Sequence, residues 1–352
     1  MKALWVLLFL ISSLQAQVSG PAAEFSRKAN QWMASTDASK RQAAYRTWLQ
    51  MGPEAMPEYE KSLEASRKFH DQAIDKLGQG TAAIQNPYSE HADLASEIDE
   101  ERKRILPLIR TDWKKDGSRI KELRENMEKL ARINERLARL TKVDTRAFDE
   151  ALESHFAALL EITRQLERFD EEANSIGRSD DEILGEITRL HVEGSHLRAQ
   201  QERFKKSREA VELLAATNEQ NKKMGPWASG SMINFAELLN AERNLLGLRP
   251  LVLEEKLSAA AEGHSGDMVR VGFFAHESPV PGKKSPRDRA KLAGFTGSLS
   301  GENIYMGSAS AQAAYDAWFA SDGHRFIMMA SGPKLLGVGI AGNHWTMMTG
   351  KP

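Results

Sequence analysis

Apolar positions early in the chain repeat with the period of a helix. Ile120, Leu123, Met127, Leu130 and Leu137 recur at alternating spacings of three and four, with Asn134 in the one polar slot. That pattern predicts an amphipathic helix whose apolar seam faces another helix. Leu152, His155, Leu159, Ile162, Leu166 and Phe169 repeat it. A third helix is predicted to open at Ser179, which stands before Glu182 as in a capping box, and to run through Ile183, Ile187, Leu190, Gly194 and Leu197. The breaks at 142–144 and 177–179 are short enough to join antiparallel neighbours, so a helical hairpin or bundle follows. Upstream, residues 47–63 read as two short helices parted at Gly52-Pro53. No fixed-period repeat covers the region. A spacer or partner-binding stalk fits this pattern, with coiled-coil self-association as one partner, and so does a helical domain packing on itself. Heptads set packing and do not choose between them.

Beyond residue 225 the pattern changes. Sixteen of the twenty-five glycines lie there, and residues 222–231 carry Gly, Pro and Ser between two helical patterns, as a linker does. The expected division is a leader over 1–16, a helical, coiled-coil-like domain over 17–221, the linker over 222–231, and a second domain over 232–352. In that last part a helix is predicted from an Asn234 cap to Leu246, stopped by Gly247 ahead of Pro250. A second follows over 253–271, with Leu257, Ala261, His264 and Met268 on its inner face. Another spans 310–319, and residues 335–341 and 344–348 form a strand hairpin around Gly342-Asn343. Helices flanking a few strands make a layered unit. The fold class is therefore α+β, an all-α N-terminal part followed by an α-β-α sandwich.

Composition narrows the partners. The 352 residues carry 48 Lys and Arg against 49 Asp and Glu, so no basic excess exists to hold nucleic acid. Cysteine is absent, which removes disulfides, thiolate metal sites, Cys nucleophiles and a lipidated Cys. Met1-Lys2, the apolar run 3–14 and the small Ala16 read as a signal peptide cleaved near Gln17. An uncleaved anchor is the alternative, although the run falls short of the roughly 20 residues of a spanning helix. A secreted or periplasmic protein is expected.

Candidate chemistry collects in the last third. His264 faces inward from its helix, where a buried neutral imidazole held by one hydrogen bond is the plainer reading. His276 lies in non-helical backbone within GFFAHESP (272–279), and Pro279 breaks any helix that an HExxH zinc motif requires. Glu302 sits between Gly301 and Asn303 with apolar Ile304 next, so a Gly-Glu-Asn turn is expected to draw its carboxylate into a partly buried site that needs a partner, for which a histidine is the obvious choice. Gly323 is expected to free the backbone that presents His324. His155, His191 and His196 lack an i, i+4 pairing on one face and read as ordinary core or surface histidines.

The ordered set NAERNLLGLRPL, the His264 helix, GFFAHESP, GENI, the Trp318 helix, GHR and LGVGI resembles the bacterial branch of the CAP superfamily, also called SCP-like or PR-1-like domains, over residues 234–351. The resemblance implies an α-β-α sandwich and, in many members, two His and two Glu around a cleft able to hold Zn²⁺ or another divalent cation. Carried over motif by motif, it assigns the first His to His276, the first Glu to Glu302 and the second His to His324. The second Glu falls on Ser321, with Asp322 adjacent and His264 facing the same cavity. His276, Glu302 and His324 are the metal candidates, and two imidazoles with one carboxylate suit a tetrahedral zinc with one open position or a metal-free hydrogen-bonded cluster. The implied activity is binding of an envelope, lipid or other extracellular ligand. A metal-assisted hydrolase or protease and a structural coiled-coil envelope protein are the alternatives.

Overall fold

The computed structural model describes residues 86, 88–110, 117–146, 148–150, 153, 157, 160, 164 and 181–352. The expected leader over 1–16, the helices over 47–63, most of the repeat over 152–169 and the Ser179 cap lie outside the described residues. The chain divides into two compact units, residues 1–87 with 144–199 and residues 88–143 with 200–352. Among the described residues of the first, the Thr145 hydroxyl donates to Asp149 Oδ2 at 2.9 Å and Arg146 pairs with Asp144 at 2.6 Å.

The second unit holds helices α1 (Ser89–Arg110) and α2 (Gly117–Leu140) and the C-terminal half of α3 (Asp181–Lys222). The α2 seam buries Leu123, Met127, Leu130 and Leu137 as its period predicts, and adds Ile133 in place of Asn134, which is half-buried. That drift is the difference between a 3.5-residue repeat and a 3.6-residue helix. Although residues 232–352 read as a separate stretch of sequence, they share one core with these helices. Leu94, Ile98, Ile105 and Ile109 of α1 and the α2 seam are continuous with Phe235, Leu239, Trp318 and Trp345.

After α3 the chain breaks over 223–229 and resumes in α4 (Gly230–Leu245). Its cap is Ser229, whose Oγ accepts from the Met232 amide at 3.3 Å, rather than the expected Asn234. Gly247, at φ 71°, turns the chain out of the helix as expected. Strand β1 (Val252–Leu253) leads into α5 (Glu255–Val271), α6 (Pro286–Leu292), β2 (Ser298–Met306), α7 (Ala311–Phe319), α8 (Asp322–Met328), β3 (Leu335–Ala341) and β4 (His344–Lys351). The sheet order is β1-β3-β4-β2, with β1 parallel to β3 and the other pairs antiparallel.

Period-2 alternation assigns the two sheet faces. Val338 and Met347, paired across the ladder, join the core with Phe235 and Trp318, whereas Met348 joins Leu257, Ala260 and Ala261 on the opposite side. An α-β-α sandwich results. Helix α5 lies so close to β3 that a Cβ on Gly339 would fall 1.9 Å from the Glu262 nitrogen, and one on Gly337 2.5 Å from Leu257. On the other face Phe235 meets Trp318 edge-on, with centroids 5.3 Å apart. Such a pair adds about 1 kcal/mol beyond its buried area. The short β1 is tied down by two buried asparagines. Asn240 accepts from Leu251 N at 2.7 Å and donates to Leu251 O at 2.9 Å, and Asn221 of α3 accepts from Leu253 N at 2.9 Å. Backbone groups that a longer sheet would pair are thereby satisfied. No helix among the described residues is long and apolar enough to cross a membrane.

Candidate functional site

Helix α5 supplies the floor of the site. The Glu254 side chain caps it by accepting from Leu257 N at 2.6 Å, and Gly272, at φ 77°, ends it in the left-handed region. Leu257, Ala261, His264 and Met268 all face inward and are buried. His264 Nε2 donates to Ala275 O at 3.0 Å, which draws the loop after the helix back over it. A carbonyl only accepts, so the neutral ring carries its proton on Nε2 and leaves Nδ1, which is buried with no hydrogen-bond partner, unprotonated. Burial, reinforced by the Arg289 charge, lowers the His264 pKa.

The loop ends in His276, whose ring is half-exposed and whose Nδ1 lies 2.9 Å from Glu302 Oε1. A carboxylate accepts, so Nδ1 carries the proton and Nε2 is the atom left for a ligand. Glu302 occupies a regular position in β2, opposite Met348, and the expected turn at 301–303 is not formed. Alternation along the strand, rather than a glycine turn, sends its carboxylate inward, to 3% exposure.

Arg289 is the residue that sequence reasoning missed. Ser285 and Asp288 close a capping box around Pro286 and start α6, which places Arg289 under the loop. Its side chain is 2% exposed, with Nη2 donating to Glu302 Oε2 at 2.6 Å and to His276 O at 3.1 Å. Nη1 donates to the Lys283 and Lys284 carbonyls at 3.0 and 3.2 Å. A carboxylate buried this deeply needs a cation, and a single neutral imidazole does not supply one; that depth is visible only in the fold.

The remaining candidates divide. His324 is the third residue of α8, so Gly323 is helical and does not free the chain there. The His324 backbone carbonyl accepts from Asn303 Nδ2 at 3.0 Å, which couples it to the neighbour of Glu302. Its Nδ1 is buried without a partner, and burial lowers its pKa. Ser321 caps α8 without a side-chain hydrogen bond. Asp322 pairs with Arg325, a fully buried guanidinium that also donates to Phe319 O at 2.9 Å and Ile109 O at 3.2 Å. The structure therefore bonds His276 to Glu302, links His264 through Ala275 and His324 through Asn303, and engages Asp322 with Arg325.

Among the described residues, no group of three or more His, Cys, Asp or Glu is placed to hold a metal ion. Both Glu302 oxygens are engaged, one by a guanidinium whose charge opposes a dication, and His264 Nε2 is spent on a carbonyl. Glu302 is therefore not free to serve as the carboxylate ligand of the zinc set that the resemblance implies, whereas His324 Nδ1 has no hydrogen-bond partner among the described residues.

Residues 236–347 match the model of the CAP, or cysteine-rich secretory protein, family. The C-terminal third is a CAP domain. Unlike that description, this chain contains no cysteine. Its CAP region is 39% identical over 112 residues to the uncharacterized protein YkwD of Bacillus subtilis, covering 31% of this chain and 43% of the relative. It is 28% identical over 138 residues to the uncharacterized membrane protein YlbC of the same organism, covering 39% and 38%. The chain thus spans about two fifths of the length of the curated relatives it matches. Among solved structures, an extracellular SCP-domain protein of Bacillus anthracis aligns at 29% identity with a TM-score of 0.34, over 35% of this chain and 41% of that one. An outer surface protein of Borrelia burgdorferi aligns at 18% identity with a TM-score of 0.27, over 34% and 86%.

Proposed function

We propose that the protein is exported and that its CAP domain is a metal-free binding module which takes an envelope or other extracellular ligand at the His276 cleft. The observation that carries this reading is the Arg289–Glu302–His276 chain. A buried ion pair holds the base of an imidazole whose other face is open, so Nε2 is a fixed hydrogen-bonding group at the surface. His264 and His324, with pKa values lowered by burial, keep the floor uncharged at neutral pH. Export is supported by the basic start, apolar run and Ala16. Two experiments test it. Protein recovered outside the cytoplasm should begin near Gln17, and material still beginning at Met1 contradicts cleavage. Wild-type protein should co-sediment with an envelope fraction, and His276→Ala protein should not. Equal retention of the two, or none, overturns the cleft assignment.

The same geometry favours a second reading, since a carboxylate on Nδ1 also prepares Nε2 to take a proton from water. Among the described residues no hydroxyl contacts any of the three imidazoles. Binding therefore stands first. Hydrolysis of a peptide or ester library that is lost on Glu302→Gln would reverse that order.

A further inference from the structure

A concavity of the second unit lies away from the histidines, where the helices meet the turn between α4 and β1. It has a volume of about 630 Å³ and is walled by α1, α2, α3 and residues 244–250. That size is in the range of small-molecule sites. Its lining includes the apolar Ile98, Leu137, Val211, Leu248 and Pro250. Interleaved with them are four cations, Arg102, Arg203, Lys206 and Arg249, against a single carboxylate, Asp99.

These cations are not equivalent. Arg203 pairs with Asp99 and also donates to Ser96 Oγ at 3.0 Å, and Arg102 donates to Leu245 O at 2.7 Å and Asn244 O at 3.2 Å. Gly247 lies against the Arg102 guanidinium, where a Cβ would be in ordinary contact at 3.4 Å. Two guanidiniums are thus part of the joint between α1, α3 and the turn. Lys206 on α3 and Arg249 on the turn are both exposed, and neither has a carboxylate partner among the described residues. Two unneutralised cations on separate elements, in a lining shared with apolar side chains, call for a ligand that is anionic at one end and apolar along its body. An inorganic anion leaves the apolar side chains unused, and a neutral hydrocarbon leaves the cations unused.

We propose that this cavity binds a single-chain anionic amphiphile, its head on Lys206 and Arg249 and its chain along Ile98, Leu137, Val211 and Leu248. The site is separate from the His276 cleft and does not depend on the function assigned to it. Because the ligand touches both α3 and the turn, it holds the helices to the CAP domain, and it raises the melting temperature in proportion to the logarithm of its concentration once above its Kd.

The test is calorimetric titration of the full chain with dodecanoate below its micellar concentration, alongside dodecyltrimethylammonium, acetate and an acidic peptide of glutamates. Dodecanoate should bind. Reversing both exposed cations in Lys206→Glu/Arg249→Glu should weaken it by about tenfold or more, the scale of hydrogen bonds to a charged group. Val211→Trp, which fills the cavity from a half-exposed helix position, should weaken it independently, and His276→Ala should bind as wild type does. The proposal is overturned if the cationic amphiphile or acetate binds as well as dodecanoate, if the glutamate peptide binds more tightly, or if charge reversal leaves the affinity unchanged. Loss of dodecanoate in His276→Ala but not in the charge-reversed variant would move the ligand to the other site and also overturn it.

Discussion

Replacing Arg289 with methionine tests whether Glu302 is anchored as a buried ion pair. The change keeps an apolar stem of similar length and removes the guanidinium, which donates to Glu302 Oε2, His276 O, Lys283 O and Lys284 O. The three carbonyls belong to loop residues that water can reach, so their loss costs little. Glu302 is different, for it is 3% exposed and keeps only His276. Breaking a buried pair from one side costs about 3–5 kcal/mol, because the remaining charge stays desolvated. Urea unfolding of Arg289→Met should show a loss of that size at neutral pH. Glu302→Gln in the same background should recover part of it, giving a coupling of about 1–3 kcal/mol in the double-mutant cycle. A loss below about 1 kcal/mol, the scale of exposed pairs, would show that water reaches both groups and refute the anchored geometry.

Three further outcomes follow from other parts of the unit. His91 is fully buried against Phe204, has no hydrogen-bond partner on either ring nitrogen, and has its pKa lowered to about 4 by burial and the Arg203 charge. With the folded pKa below the unfolded one, its contribution is present above about pH 6.5 and is lost as pH falls toward 4, by a total of order 3 kcal/mol. His91→Phe should flatten the stability profile between those limits, and an unchanged slope would refute the assignment. Gly339→Ala should push α5 off β3 and abolish cooperative folding or lower the melting temperature sharply, since the added carbon falls within 1.9 Å of backbone. A fragment over 230–352 uncovers its share of the common core and loses Asn221 and Arg102, so it should melt below the full chain by circular dichroism. Equal melting would show that the helices contribute nothing to that core.

Much of this was legible from periodicity and glycine placement. The α2 seam, the inward face of α5, the hairpin over 335–348 and the α+β layering all rest on local patterns that burial respects. Residue type singles out His276 and Glu302, and these two lie in contact. Local conformation misled at 301–303 and at Gly323, where glycine reads as a turn but serves strand and helix instead. At Gly301 the reason is tertiary, since a Cβ there would meet Ile327 at 2.9 Å. Arg289 escaped notice because its partner is separated by 13 residues and an intervening helix end, and no period links them. The shared core was equally hidden. A glycine-rich break marks where the chain turns, and it carries no information on whether the segments on either side pack together.

In the proposed reading the cleft is an Arg–Glu–His arrangement that binds without a metal, and zinc analysis of the full chain tests this most directly. Purified protein is incubated with equimolar Zn²⁺, dialysed, and assayed for bound metal beside His276→Ala and Glu302→Gln. The predicted result is no retained zinc in any of the three, because Arg289 holds the oxygen that a dication needs. One zinc retained per wild-type chain and lost in both variants would contradict it.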